Sequence, residues 1–198
     1  MRLDKRFFPF FLMIFRAILG PVVVALSIFS PQLGMFGICL VLAFLSDVFD
    51  GVLARKLDVA TPGLRRLDSA ADTVFYLSAL FAAWHLHPDF ILGHIDSLAF
   101  LAFLEVFRYG YDVIKFGREA SYHMWTSKLW GILLFAGFFE MLVFDSSGFA
   151  VDLAIYSGIL ADFEGLAISF LLKYWKNDVP TLFHAIRLRA EQFKGGYD

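Results

Sequence analysis

Cysteine is almost missing from this chain of 198 residues: Cys39, inside an apolar run, is the only one. That excludes a disulfide within one chain and any metal site built from thiolates. An excess of basic charge is missing too. Seventeen Lys and Arg stand against 19 Asp and Glu, for a net charge of −2, so bulk electrostatics gives no signal for nucleic acid. Three stretches, 30–33, 87–96 and 145–149, contain no Lys or Arg at all. Neither an internal repeat nor a linker is present, which predicts one domain over 1–198.

Apolar residues fill the space. The chain is 59% hydrophobic, carries 25 Phe and has a mean hydropathy of +0.68, values a soluble domain of this size rarely reaches. A bilayer-crossing segment needs about 20 mostly apolar residues, and it must be helical because hydrocarbon offers backbone N–H and C=O groups no partner. The stretches 11–29, 34–54, 68–86, 97–115, 128–144 and 150–172 meet that need. Ser30-Pro31, Thr61-Pro62-Gly63, Pro88, Gly117 and Ser146-Ser147-Gly148 punctuate them. The predicted fold is all-α: a polytopic membrane protein of six transmembrane helices, with a short interfacial N-terminal segment and a C-terminal helix. Met1–Arg6 is basic and precedes an apolar run, as in a signal peptide. Arg16 interrupts that run and no small-x-small cleavage site follows, so a retained first span is expected.

The basic residues mark one face. Arg2, Lys5, Arg6, Arg55, Lys56, Arg65, Arg66, Lys115, Arg118, Lys128, Lys173, Lys176, Arg187, Arg189 and Lys194 all fall on the connections opposite to the three bare ones. By the positive-inside rule both termini are expected in the cytoplasm. The segment after Lys173 reads as a short amphipathic helix at the cytoplasmic membrane surface.

Acidic residues gather at that same face. The second span ends Asp47-Val-Phe-Asp50-Gly51-Val-Leu-Ala54-Arg55, and the third begins Asp68-Ser-Ala-Ala-Asp72. Asp47 and Asp50 are i, i+3, and Asp68 and Asp72 are i, i+4, so each pair shares a helix face. The short loop 56–67 should bring the two helix ends together at the membrane–water boundary. Four carboxylates in a low-dielectric site repel one another. A hard divalent cation such as Mg2+ or Mn2+ relieves this, and bridging carboxylates can hold two such ions against a diphosphate. Gly51 leaves room for a nucleotide beside the backbone. Arg55 can grip phosphate with its planar fork. The plainer alternative is a set of solvated aspartates paired with Arg55, Arg65 and Arg66.

The pattern Asp47-x2-Asp50-Gly51-x2-Ala54-Arg55 … Asp68-x3-Asp72 resembles the signature of the CDP-alcohol phosphotransferase (CDP-alcohol phosphatidyltransferase) family, D-x2-D-G-x2-A-R-x8-G-x3-D-x3-D. All fixed positions but one match at the family's spacing. The family's second glycine falls on Leu64, with Gly63 one residue early. Arg16-x4-Pro21 also resembles the family's opening helix, so the resemblance covers nearly the whole chain.

The resemblance implies metal-dependent transfer of a phosphatidyl group from a CDP-alcohol, usually CDP-diacylglycerol, to an alcohol with release of CMP. It implies that Asp47, Asp50 and Asp68 are metal ligands and that Asp72 contributes to a second ion and serves as general base. Gly51, Ala54 and Arg55 would line the CDP pocket, and the protein would be a homodimer.

Other polar residues sit inside apolar spans. Glu105, Arg108 and Asp112 form one stripe, either the wall of a hydrophilic cavity with Arg108 on an acceptor or lipid phosphate, or a self-compensated packed face. Lys128 offers an anionic acceptor or headgroup a contact, or anchors its helix at the interface. Asp162 and Glu164 fall within the sixth span, where charge is costly. They would face the cavity or a dimer contact, or be protonated. His123 reads as ordinary loop chemistry. His85, His87 and His94, with Asp89 and Asp96, read as a polar exposed loop rather than a metal site.

Two rival functions share some of these features. An intramembrane prenyltransferase also holds a diphosphate with Asp clusters and Mg2+, but would have more spans and no D-G-x2-A-R element; it would release diphosphate instead of CMP. The non-enzymatic alternative is a divalent-cation transporter or a structural, cation-binding membrane protein; a transporter would place its carboxylates near the midplane between broken helices. The acceptor alcohol is not encoded legibly, although the basic loops weakly favour an anionic one such as glycerol phosphate.

Overall fold

The computed structural model describes residues 7–57, 59, 61–146 and 148–194. The basic residues Arg2, Lys5 and Arg6, and the interfacial N-terminal segment expected there, lie outside that range. So do the side chains of Arg65 and Lys194. The described residues are helical, in eight helices with no strand among them: α1 Phe8–Phe29, α2 Leu33–Lys56, α3 Pro62–Leu86, α4 Pro88–Gly93, α5 Ile95–Phe116, α6 Trp125–Val143, α7 Phe149–Leu171 and α8 Leu182–Lys194. Local chemistry places the ends. Thr61 caps α3, its hydroxyl accepting from Leu64 N–H, with Pro62 in the first turn. Gly117, at φ 71°, closes α5 in the left-handed region.

The helices form two compact units. The first comprises 1–92 and 138–148; in it α1 packs against both α2 and α3. Gly20 permits the second contact: a Cβ there would lie 2.8 Å from Ser78 Oγ and 3.2 Å from the Val74 carbonyl. The second comprises 93–137 and 149–198, with α5 on α7 and α8 on α7. Ala154, Gly158, Ala161 and Gly165 recur on one face of α7, a small-residue face that lets large side chains lie against its backbone. Trp130 and Arg108 occupy it, at Gly158 and Gly165 respectively.

Large apolar side chains point outward along these helices, among them Phe8, Ile18, Ile38, Phe103 and Ile114. A surface of this kind suits lipid, and the chain is an integral membrane protein of helices. Six spans were expected, whereas four helices, α1, α2, α6 and α7, are long and apolar enough by composition. The other two long helices are more polar. α3 carries Arg66, Asp68, Asp72 and His85, and α5 carries Asp96, Glu105, Arg108, Asp112 and Lys115.

The tail after α7 folds back on the 117–124 loop. Tyr122, Met124, Ile168, Leu172, Val179 and Ala185 make a buried cluster. Trp175 Nε1 donates to the Glu119 carbonyl at 3.0 Å, and Asp178 N–H donates to the Ser121 carbonyl at 3.0 Å.

Candidate active site

The i, i+3 and i, i+4 spacings do what helical geometry requires, and the four aspartates meet within the first unit. They meet around a residue for which no role is legible in the sequence. Arg16 of α1, 1% exposed, bonds to Asp47 and Asp68, reaches Asp50 Oδ2 at 3.1 Å and pairs with Asp72 Oδ1 at 2.7 Å. Each guanidinium Nη serves one aspartate of α2 and one of α3. Gly20, one turn further along the same face of α1, is where that helix closes on α3.

The solvated alternative, with Arg55, Arg65 and Arg66 as partners, is therefore incomplete: the cation common to all four carboxylates is Arg16. Arg55 instead lies back along α2, its Nη1 3.6 Å from where a Cβ on Gly51 would sit. Ala54 is buried one residue before it. Asp50 and Asp68 lie about two turns inside the ends of α2 and α3. Leu64 and Gly63 belong to the first turn of α3. A Cβ on Gly63 would meet nothing closer than Thr61 Oγ1 at 4.0 Å, so packing does not require glycine there.

Asp47, Asp50 and Asp68 each present a carboxylate oxygen within 4.8 Å of the others. Asp50 is almost wholly buried, and its Oδ1 has no hydrogen-bond partner. A buried, unpaired carboxylate oxygen among two more carboxylates is a donor set suited to a hard divalent cation. Asp72 joins the group through Arg16 and is not one of the three. Four carboxylates gathered on the Arg16 guanidinium again favour added positive charge.

The second unit holds the remaining polar residues. Arg108 Nη2 donates to Glu105 at 2.9 Å, and its Nε lies 3.0 Å from Asp162 Oδ1 but off the N–H axis, an ion pair without an aligned hydrogen bond. Glu164 accepts from Thr126 Oγ1 and from the Leu182 N–H at 3.0 Å, the first residue of α8. Asp112 accepts from the Ser169 hydroxyl, which lies 2.9 Å from the Tyr122 hydroxyl. Burial pushes the Tyr122 hydroxyl up to about 12, so it keeps its proton at neutral pH. Lys115 Nζ donates to the Ser169 carbonyl at 2.7 Å. Lys128 is exposed, its Nζ 4.5 Å from the centre of the Trp125 ring.

The histidines are dispersed. His87 pairs with Asp145 at 3.4 Å, His94 with Asp152 at 3.2 Å, and His85 stacks on Phe81. Among the described residues, the three aspartates alone form a metal-competent group.

No curated protein and no solved structure matches the chain. A family model does: that of CDP-alcohol phosphatidyltransferase, over residues 6–175, a range that includes Arg16 and all four aspartates. This chain belongs to the CDP-alcohol phosphatidyltransferase family and is a membrane transferase that takes its phosphatidyl group from a CDP-alcohol in lipid synthesis.

Proposed function

We propose that the chain transfers the phosphatidyl group of CDP-diacylglycerol to a small alcohol and releases CMP, with glycerol phosphate weakly favoured as acceptor. One observation carries this reading: aspartates from two helices converge on one buried guanidinium, and one of their oxygens, Asp50 Oδ1, is left unpaired. Asp47, Asp50 and Asp68 would hold Mg2+ or Mn2+, with Asp72 contributing to a second ion. Ions bound there would neutralise the diphosphate and make CMP a better leaving group.

The chain's own residues do the rest. Asp72 takes the proton from the acceptor hydroxyl. The hydroxyl oxygen then forms a bond to the lipid-linked phosphorus, and the phosphorus–oxygen bond to CMP breaks. Gly51 and Ala54 keep side-chain bulk away from the nucleotide, and Arg55 stands over Gly51 to meet phosphate. Arg108 and Lys128 are offered as contacts for an acceptor or lipid phosphate.

The proposal includes six membrane spans. Within α5 Arg108 pairs with Glu105, and Asp112 accepts a hydrogen bond from Ser169 of α7, which lowers the cost of placing these charges in hydrocarbon. It also includes a single domain, since the family match runs through both units. Both termini and the active site would face the cytoplasm, and the protein would act as a homodimer. The test is incubation of purified protein with CDP-diacylglycerol, Mg2+ or Mn2+ and each candidate alcohol in turn. Release of CMP together with a new phospholipid supports the reading; release of diphosphate, or no turnover with any alcohol, overturns it.

A further inference from the structure

Arg16 raises a question of its own. It is among the largest fully buried side chains, and its Nε has no hydrogen-bond partner. Its two Nη groups take one oxygen from each of Asp47, Asp50, Asp68 and Asp72. Three of those residues form the metal-competent group. A guanidinium and a divalent cation therefore draw on the same carboxylates. Two positive groups within a few ångströms in a low-dielectric site repel by several kcal/mol at an effective dielectric near 20.

We propose that Arg16 is the built-in counter-cation of the site: it holds the four carboxylates together before metal arrives and yields them when a cation binds. The inference rests on the reading of the aspartates as metal ligands. Metal binding is then an exchange of one positive group for another. Four carboxylates with no cation among them would drive α2 and α3 apart, and Arg16 prevents this at the cost of weaker metal affinity. Arg16 is thus a positioning residue. Its place on α1, one turn before the Gly20 contact with α3, keeps it within reach of both acidic helices.

The test uses full-length protein in detergent, stripped with chelator and titrated with Mn2+, with free Mn2+ read by electron paramagnetic resonance. Thermal melting with and without Mn2+ runs alongside. Asp50→Asn identifies Mn2+ bound elsewhere, as binding that persists in it. Arg16→Gln should bind Mn2+ at least tenfold more tightly than the parent. It should melt lower in chelator and recover more on Mn2+ addition, because a ligand that binds the folded state stabilises it more the tighter it binds.

Arg16→Lys keeps the charge but cannot span four carboxylates, so its affinity should lie between the two. If Arg16→Gln does not fold even with Mn2+, Arg16→Lys decides alone, by binding more tightly than the parent or not. Parent-like or weaker Mn2+ affinity in the deciding variant overturns the inference while leaving the metal site standing. Absence of Asp50-dependent Mn2+ binding in the parent removes the metal site, and the inference with it.

Discussion

Arg108 and Asp162 pair within the second unit, Nε to Oδ1 at 3.0 Å, with the Asp162 side chain only 2% exposed. Two charges that look out of place in separate apolar spans thus compensate each other. The pairing explains how α7 carries an aspartate at mid-length, and why Gly165 lies opposite: a Cβ there would come within 2.9 Å of Arg108 Cδ. Replacing Arg108 by Met should leave the buried carboxylate unpaired and cost about 3 kcal/mol. Arg108→Met with Asp162→Leu should regain most of that loss. Thermal melting of the single and double variants measures it. A rise in acceptor KM in Arg108→Lys, with melting unchanged, would locate its role at the substrate instead.

Asp72→Asn should reduce CMP release by at least about 100-fold, the lower range for loss of a positioned general base. Nucleotide binding should survive. Turnover and CDP binding, measured on the same preparation, separate the two effects, and full activity would remove Asp72 as the base.

Chelator should abolish turnover, and added Mg2+ or Mn2+ should restore it. Asp68→Asn should weaken metal binding about tenfold or more, since it turns an ionic oxygen ligand into a neutral one. Metal affinity equal to that of the parent would take Asp68 out of the ligand set.

Glu164→Ala should loosen α8. The carboxylate caps its first N–H and holds Thr126 as well. The loss should be about 1 kcal/mol, as for other helix caps. Hydrogen exchange should quicken at Leu182 to Ala185 while the α2 and α3 amides stay protected.

Gly20→Val should force α1 away from α3, costing roughly 1–3 kcal/mol for the overpacked contact. Activity should fall with it, because Arg16 rides on the same helix face. Parent-like melting and turnover would show that the close approach is not needed.

The aspartate convergence was readable because it follows from short spacings: i, i+3 in α2, i, i+4 in α3 and a brief loop between them. Arg16 was not. Its partners lie on other helices, and no local periodicity reports a contact across such a sequence separation. The one available sign was an arginine within an otherwise apolar run. The same limit applied to Asp162 and Glu164, whose partners Arg108, Thr126 and Leu182 come from α5, α6 and α8. Spans 11–29, 34–54, 128–144 and 150–172 were found by hydropathy, since α1, α2, α6 and α7 each hold a long stretch with few charges. α3 and α5 escape a composition rule because they carry the charged residues that the fold pairs or gathers.

Residues 176–198 lie beyond the family match, yet Val179 and Ala185 are wholly buried. Truncation after Trp175 would bare Ile168 and Leu172 and strip Glu164 of a donor. An engineered minimal version cut to the shared core would inherit a sticky wound on α7.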